Sequence, residues 1–197
     1  KTAFIFHPGI SFEDLLKEIL CELNLPPAPA AEIPLREHFI RSLSAIFSAG
    51  ETLVVFLDEA QDIGLKVLEN FQTFFAREFP SPERIQVVFS GQPPLEEKLQ
   101  SQSLRGLRQQ IKYRCPIAPL TAQESRRYLE HRLHLAGGKP DLFTPEGMDL
   151  VVRRAEGSPR TLNIICDNAL RIGQQLSEPR IGAAIVRRRL KEKYIQP

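Results

Sequence analysis

The sequence predicts an α/β fold, with a mostly parallel sheet wrapped by helices and an all-helical unit after it. Three observations carry that reading. Leu53-Val54-Val55-Phe56-Leu57 is an unbroken apolar run that leads straight into Asp58 and Glu59. A short, Val-rich run reads as a strand buried on both faces, and such strands belong to parallel sheets covered by helices. Before Pro119, strand-like runs alternate with stretches of helical spacing, the order that builds a parallel sheet. After Leu120 the strand-like runs stop, and helix caps and helical spacing take over. The expected division is 1–119 for the α/β core and 120–197 for the helical unit.

Composition sets bounds. The 197 residues carry a net charge of +2 and are 42% hydrophobic, enough for a sizeable core. So small a charge makes neither nucleic acid nor a membrane surface an obligatory partner. No apolar stretch approaches the ~20 residues needed to span a bilayer. Cys21, Cys115 and Cys166 are odd in number and form no CxxC pair. They read as core residues in a reducing compartment. The sequence opens inside an apolar run with no initiator Met, so we expect it to be part of a longer polypeptide.

The elements follow in order. Ala3 to Phe6 predicts a short strand closed by His7-Pro8-Gly9. Ser11 stands three residues before Asp14, an N-cap with an acid in the first turn. Leu15, Leu16, Ile19, Leu20 and Leu23 then keep helical spacing up to Pro26-Pro27-Ala28-Pro29. Leu35, Phe39, Ile40, Leu43, Ile46 and Phe47 mark one face of a second helix that stops at Gly50. The acid-ended strand comes next. Leu65, Leu68, Phe71, Phe74 and Phe75 mark a helix closed by Pro80-Ser81-Pro82, its phenylalanines reading as core. Ile85 to Phe89 is a further strand, and Pro93-Pro94 open a short helix after it. A second short helix carries Arg105 and Arg108, and Lys112 to Pro116 predicts a fourth strand.

In the helical unit, Thr121-Ala122-Gln123-Glu124 is a capping box whose helix runs to Gly137-Gly138. Thr144-Pro145-Glu146 opens the next helix, and Gly157-Ser158-Pro159-Arg160 is a tight turn into a long one. A basic helix runs from about Ile181 towards Tyr194.

Chemistry concentrates at Asp58 and Glu59, because α/β sheets bind ligands at the carboxyl ends of their strands. One carboxylate there can hold Mg²⁺ and the other can polarise an attacking water. His131 and His134 share a helix face but have no third ligand in the pattern. The run Arg187-Arg188-Arg189 with Lys191 and Lys193 reads as a solvated face rather than a nucleic-acid or lipid contact.

Together the motifs resemble the AAA+ ATPase domain of the general secretion pathway protein A family (GspA/ExeA-like). The matching segments are Phe56-Leu57-Asp58-Glu59-Ala60-Gln61, Gly91-Gln92-Pro93-Pro94-Leu95 with Leu104-Arg105, Pro119-Leu120-Thr121, Leu142-Phe143-Thr144-Pro145-Glu146, and Gly157-Ser158-Pro159-Arg160 followed by Asn163-Ile164-Ile165-Cys166-Asp167. The resemblance implies a P-loop NTPase-type parallel sheet, incomplete at its N-terminal end, followed by a helical lid. It implies ATP and Mg²⁺ as cofactors. Asp58 would support the metal and Glu59 would orient the water that attacks the γ-phosphate. Ser90 and Gln92 would be the sensor-one candidates, and Arg160 the sensor-two arginine of the lid. Arg105 and Arg108 would be candidates for a finger reaching a neighbouring subunit. The family usually has an arginine just before the isoleucine leading into the next strand, where this chain has Gln110.

The family also implies a homo-oligomer serving other secretion or envelope-assembly proteins. It would work in the cytoplasm at the inner face of the bacterial inner membrane, with membrane contact through parts outside this chain. Two other readings stay open: a DNA-directed AAA+ ATPase of transposition-regulator type, and a nucleotide-free adaptor on the same fold. No GxxxxGK[ST] run occurs in the sequence, so these residues alone are expected to be inactive. In the resembled arrangement, the strand before that loop sits between the strand ending at Phe89 and the one near Tyr113. The expectation is that Lys112 to Pro116 is poorly paired or displaced without it.

Overall fold

The structure is a computed structural model that describes residues 1–6, 9–27, 33–79 and 84–191, with side chains up to Arg188. The expected turn at His7-Pro8, the loop at Ala28-Pro29, the stop at Pro80-Ser81-Pro82 and the stretch from Glu192 to Tyr194 lie outside the described residues. So do the side chains of Arg189 and Lys191. The chain forms two compact units, Lys1–Arg114 and Cys115–Pro197.

Among the described residues the first unit is built on three parallel strands in the order β1-β2-β3: β1 (Thr2–Ile5), β2 (Leu53–Leu57) and β3 (Ile85–Phe89). Thr2 lies opposite Val54, and Leu53 opposite Ile85. Helices α1 (Phe12–Glu22) and α2 (Leu35–Ser48) connect β1 to β2, and α3 (Leu65–Glu78) connects β2 to β3. Two short helices follow, α4 (Pro94–Leu99) and α5 (Arg105–Gln110).

Strand periodicity decides which side chains meet the helices. Ala3, Ile5, Leu53, Val55 and Leu57 point to one face and are buried with Leu16 and Ile19 of α1, Leu43 of α2 and Phe71 of α3. Phe39 of α2 is fully buried, with the rings of Phe74, Phe75 and Phe79 6.0 to 6.3 Å from it. Burying a side chain of that size contributes about 1.5–3 kcal/mol.

The opposite face departs from the expectation of a strand buried on both sides. Val54 and Phe56 are only half-buried, and Phe4 and Phe6 are 43% and 61% exposed. The Phe4 and Phe56 rings stack at 4.5 Å, so aromatic pairing across β1 and β2 takes the place of a covering helix among the described residues. A continuous apolar run therefore marks one packed face and one aromatic, part-open face. The expected fourth strand is also corrected: Lys112 to Pro116 has no strand structure, and Tyr113 is 90% exposed. A strand needs a partner ladder, and among the described residues the segment pairs with none.

Helix ends show how local signals act. Ser11 caps α1 by accepting from the Asp14 N–H at 3.1 Å. The helix ends at Glu22, earlier than the prolines suggested, because Asn24 adopts φ +53° and turns the chain out. Gly50, at φ +74°, closes the turn after α2.

The second unit holds α6 (Ala122–Leu135), α7 (Pro145–Ala155), α8 (Pro159–Gln175) and α9 (Ala183–Lys191). Thr121 and Glu124 form the complete capping box. Val151, Leu162, Ala169, Ile181 and Val186 fill its core. Gly157 lies at φ +78° with its Cα against the backbone of Leu120, whose N–H donates to the Gly157 carbonyl at 2.9 Å. The cysteines do not follow the core reading: Cys21 and Cys115 are exposed, and Cys166 is half-buried on α8. Cys21 sits on the solvent side of α1, and Cys115 lies in the segment between α5 and α6, outside any helix or strand.

Candidate active site

The sheet register places the acids. β2 is the middle strand of the three, and Asp58 follows its last residue. The Asp58 N–H still donates to the Ile5 carbonyl at 2.9 Å, and the Ser90 N–H donates to the Leu57 carbonyl at 2.9 Å. The ends of β1, β2 and β3 are thus hydrogen-bonded to each other at the point where the chain leaves the sheet. The Ala60 N–H returns a bond to the Ser90 carbonyl at 2.9 Å.

Between these anchors Glu59 takes a left-handed conformation, φ 50° and ψ 38°. For a residue with a side chain, that costs on the order of 1–3 kcal/mol and persists only where the surroundings enforce it. The enforcement is visible. Asp58 Oδ1 accepts from the Glu59 N–H at 3.0 Å. A 3-10 turn, Ala60–Asp62, begins at once. Lys98 of α4 reaches under that turn and donates to the carbonyls of Gln61 at 2.5 Å and Ile63 at 2.6 Å.

The side chains of Glu59, Gln61 and Gln92 form one network. Gln61 Nε2 donates to Glu59 Oε2 at 2.6 Å, and Gln92 Nε2 lies 3.4 Å from the same oxygen. The Gln92 N–H donates to Gln61 Oε1 at 3.0 Å. Gly91 has to be small here: a Cβ would come within 2.8 Å of Gln61 Oε1 and 3.3 Å of the Ala60 nitrogen. Asp58 is half-buried while Glu59, Ser90 and Gln92 are exposed. The arrangement therefore presents two carboxylates and two polar loop residues to solvent from a rigid strand end.

Of the residues the sequence singled out, Asp58, Glu59, Ser90 and Gln92 come together at this one end of the sheet. Arg108, on α5, donates to the Leu99 carbonyl and to Gln100 Oε1, each at 3.3 Å. Arg105 is exposed and has no hydrogen-bond or ion-pair partner among the described residues. Arg160 belongs to the second unit, where it is the second residue of α8 and exposed. Gln61 and Lys98 were not given roles from the sequence. Gln61 stands two residues after Glu59, a spacing that could have flagged it. Lys98 has no signal, since its partners are backbone carbonyls far away in sequence.

Among the described residues no cluster of three or more His, Cys, Asp or Glu side chains could hold a metal by itself. A single carboxylate at a strand end suits Mg²⁺, which keeps waters and is completed by substrate phosphates rather than by a protein cage. Asp58 offers that donor.

The model of an AAA domain matches residues 4–99. General secretion pathway protein A of Aeromonas hydrophila is 37% identical over 171 residues, covering 86% of this chain and 31% of that protein. The chain thus spans about a third of that relative. Among solved structures, Cdc6p from Pyrobaculum aerophilum is similar with a TM-score of 0.75 at 19% identity, over 100% of this chain and 54% of that one. The ADP form of the ORC2 protein from Aeropyrum pernix has a TM-score of 0.70 at 17% identity, over 98% and 53%. These two share the fold. The domain match and the Aeromonas relative go further: together they support a general secretion pathway protein A-like (GspA/ExeA-like) AAA+ domain.

Proposed function

We propose that this chain is the ATP-binding and ATP-hydrolysing domain of a secretion- or pilus-type assembly ATPase, and that it carries the metal and water side of the site. The observation that supports it best is the strained turn at Glu59, held at the end of the middle strand beside Asp58. Backbone strain of this kind gathers where a side chain must be aimed. In this reading Asp58 would hold Mg²⁺, whose role is to neutralise charge on the transferred phosphoryl group. Glu59 accepts a proton from the attacking water, and its Oε2 is oriented by Gln61 and Gln92. Ser90 and Gln92 supply donors beside the transferred phosphate.

Arg105 serves as the finger to a neighbouring subunit, since Arg108 is committed to the end of α4. Arg160 is the lid arginine, and an arginine forks onto phosphate oxygens well. No GxxxxGK[ST] run lies within the 197 residues, so these residues alone bind nucleotide weakly and the full-length protein is the object to test. The likeness to general secretion pathway protein A supports a homo-oligomer at the cytoplasmic face of the inner membrane. No described helix is long and apolar enough to cross a membrane.

The test is nucleotide binding to full-length protein with and without Mg²⁺. Asp58→Asn is expected to lower affinity for the Mg²⁺ complex about tenfold or more and to leave metal-free binding unchanged. Equal affinities in both proteins would overturn the reading. Binding of duplex DNA that falls steeply with salt would favour the DNA-directed alternative instead.

A further inference from the structure

We propose that Gln61 is the positioning residue of this site, its carboxamide tying the Glu59 carboxylate to the loop after β3 so that the two move together. The inference rests on the ATPase reading and deepens it, from an orienting contact on Glu59 to a bridge between Glu59 and the loop after β3.

A carboxylate can only accept hydrogen bonds, and a backbone N–H can only donate. Something standing between the Glu59 carboxylate and the Gln92 N–H must therefore donate on one side and accept on the other. A carboxamide does both, and only one orientation of it serves: Nε2 toward Glu59 at 2.6 Å and Oε1 toward Gln92 N at 3.0 Å. Glutamate at this position would keep the acceptor and lose the donor. Alanine would lose both.

The surroundings hold this bridge at each end. Lys98 fixes the Gln61 carbonyl from α4 at 2.5 Å. Gly91 lets the loop approach so closely that a Cβ would stand 2.8 Å from Gln61 Oε1. The Ala60 N–H to Ser90 carbonyl bond, 2.9 Å, closes the same ring of contacts through the backbone. Gln92 Nε2 adds a second, longer contact to Glu59 Oε2 at 3.4 Å. Among the described residues both donors to the Glu59 side chain go to Oε2, which leaves Oε1 for a water.

The consequence is mechanical. Glu59 is exposed and would otherwise sample several rotamers. The bridge selects one, and it does so only while the loop from Ser90 to Gln92 is in place. A contact that shifts that loop releases Glu59. Misplacing a reacting group by about 1 Å can cost about a hundredfold in rate.

The experiment uses the full-length protein with Gln61→Glu and Gln61→Ala. It reads kcat and KM for ATP, and deuterium uptake of the peptide containing Gln92. Both variants are expected to lower kcat about 10–100-fold with KM within about twofold, because positioning, not binding, is lost. The Gln92 amide is expected to stay protected in Gln61→Glu, where the acceptor remains, and to exchange faster in Gln61→Ala. A residue with a structural part only would change uptake and melting temperature without that kcat-only loss. Variants that turn over within twofold of wild type overturn the proposal while wild-type turnover upholds the ATPase reading. A wild type that does not turn ATP over at all overturns the ATPase reading and the proposal with it. Should Gln61→Ala fail to fold, the near-isosteric Gln61→Glu decides alone.

Discussion

The two units of this chain start their helices in different ways. In the second, α6, α7 and α8 each begin on a side chain that satisfies a free N–H: Thr121 accepts from Glu124, Thr144 from Gly147 and Ser158 from Thr161, each at 3.2 Å. In the first, Ser11 does this for α1, but α2, α3, α4 and α5 open without a side-chain cap. Those helices are placed from a distance. Gln72 of α3 accepts from the Leu107 N–H at 2.8 Å and so positions α5. Lys98 ties α4 to the turn after β2. The difference teaches that the helical unit is written in neighbouring residues, whereas the sheet unit, with its candidate site, is written in residues far apart in the chain.

The largest effect should come from breaking the distant contacts. Phe39→Ala removes a fully buried ring from the cluster with Phe74, Phe75 and Phe79. It should cost about 3–5 kcal/mol, read from urea unfolding followed at the β2 amides. A loss under about 1 kcal/mol would break the comparison. Gly157→Ala comes next. Its φ of +78° and the backbone of Leu120 both resist a Cβ, so the left-handed strain of about 1 kcal/mol is joined by a clash with backbone that cannot give. Gly50→Ala is the control: φ is +74° with nothing within 4 Å of the added carbon, so only the strain of about 1 kcal/mol is expected. Equal losses at the two glycines would show that packing at Leu120 counts for nothing.

Smaller again is Thr121→Ala, which opens the capping box and should cost about 1 kcal/mol of thermal stability. Glu124, whose carboxyl the Thr121 N–H and, less, its hydroxyl hold below the usual range, should return only part of the way in that variant, because the backbone N–H stays. The last effect is confined to alkaline pH. Burial pushes the Cys166 thiol from 9.0 up to about 12. The folded state keeps the proton longer than the unfolded one, so this contribution is full below pH 9.0 and fades as pH rises toward about 12. Cys166→Ala should flatten that slope. At neutral pH, thiol reagents should modify the exposed Cys21 and Cys115 well before Cys166.

What the sequence disclosed follows the same division. The caps at Thr121 and Thr144 were legible because each signal lies within three residues of its target, whereas the cap at Ser158 was read only as a turn. The sheet unit was legible where one strand carried its own pattern, as in Leu53 to Leu57 and Ile85 to Phe89. It was not legible where pairing decides. Lys112 to Pro116 reads as a strand from its own residues, and only the missing neighbouring strand predicted that it would stay unpaired, as it does among the described residues. The open face at Phe4 and Phe56 was missed because an apolar run does not say which of its faces is covered. At the candidate site, Asp58 and Glu59 stood out by type and position. The left-handed turn, the Lys98 anchor and the Gln61 bridge did not, because they depend on how α4 and the loop after β3 approach.

The central claim is that Glu59, aimed by that turn, handles the attacking water. Glu59→Gln in the full-length protein tests it most directly, because the substitution keeps shape and removes only the basic group. The expected result is ATP affinity within about twofold of wild type and turnover lowered about a hundredfold or more. Turnover within about twofold of wild type would contradict the claim.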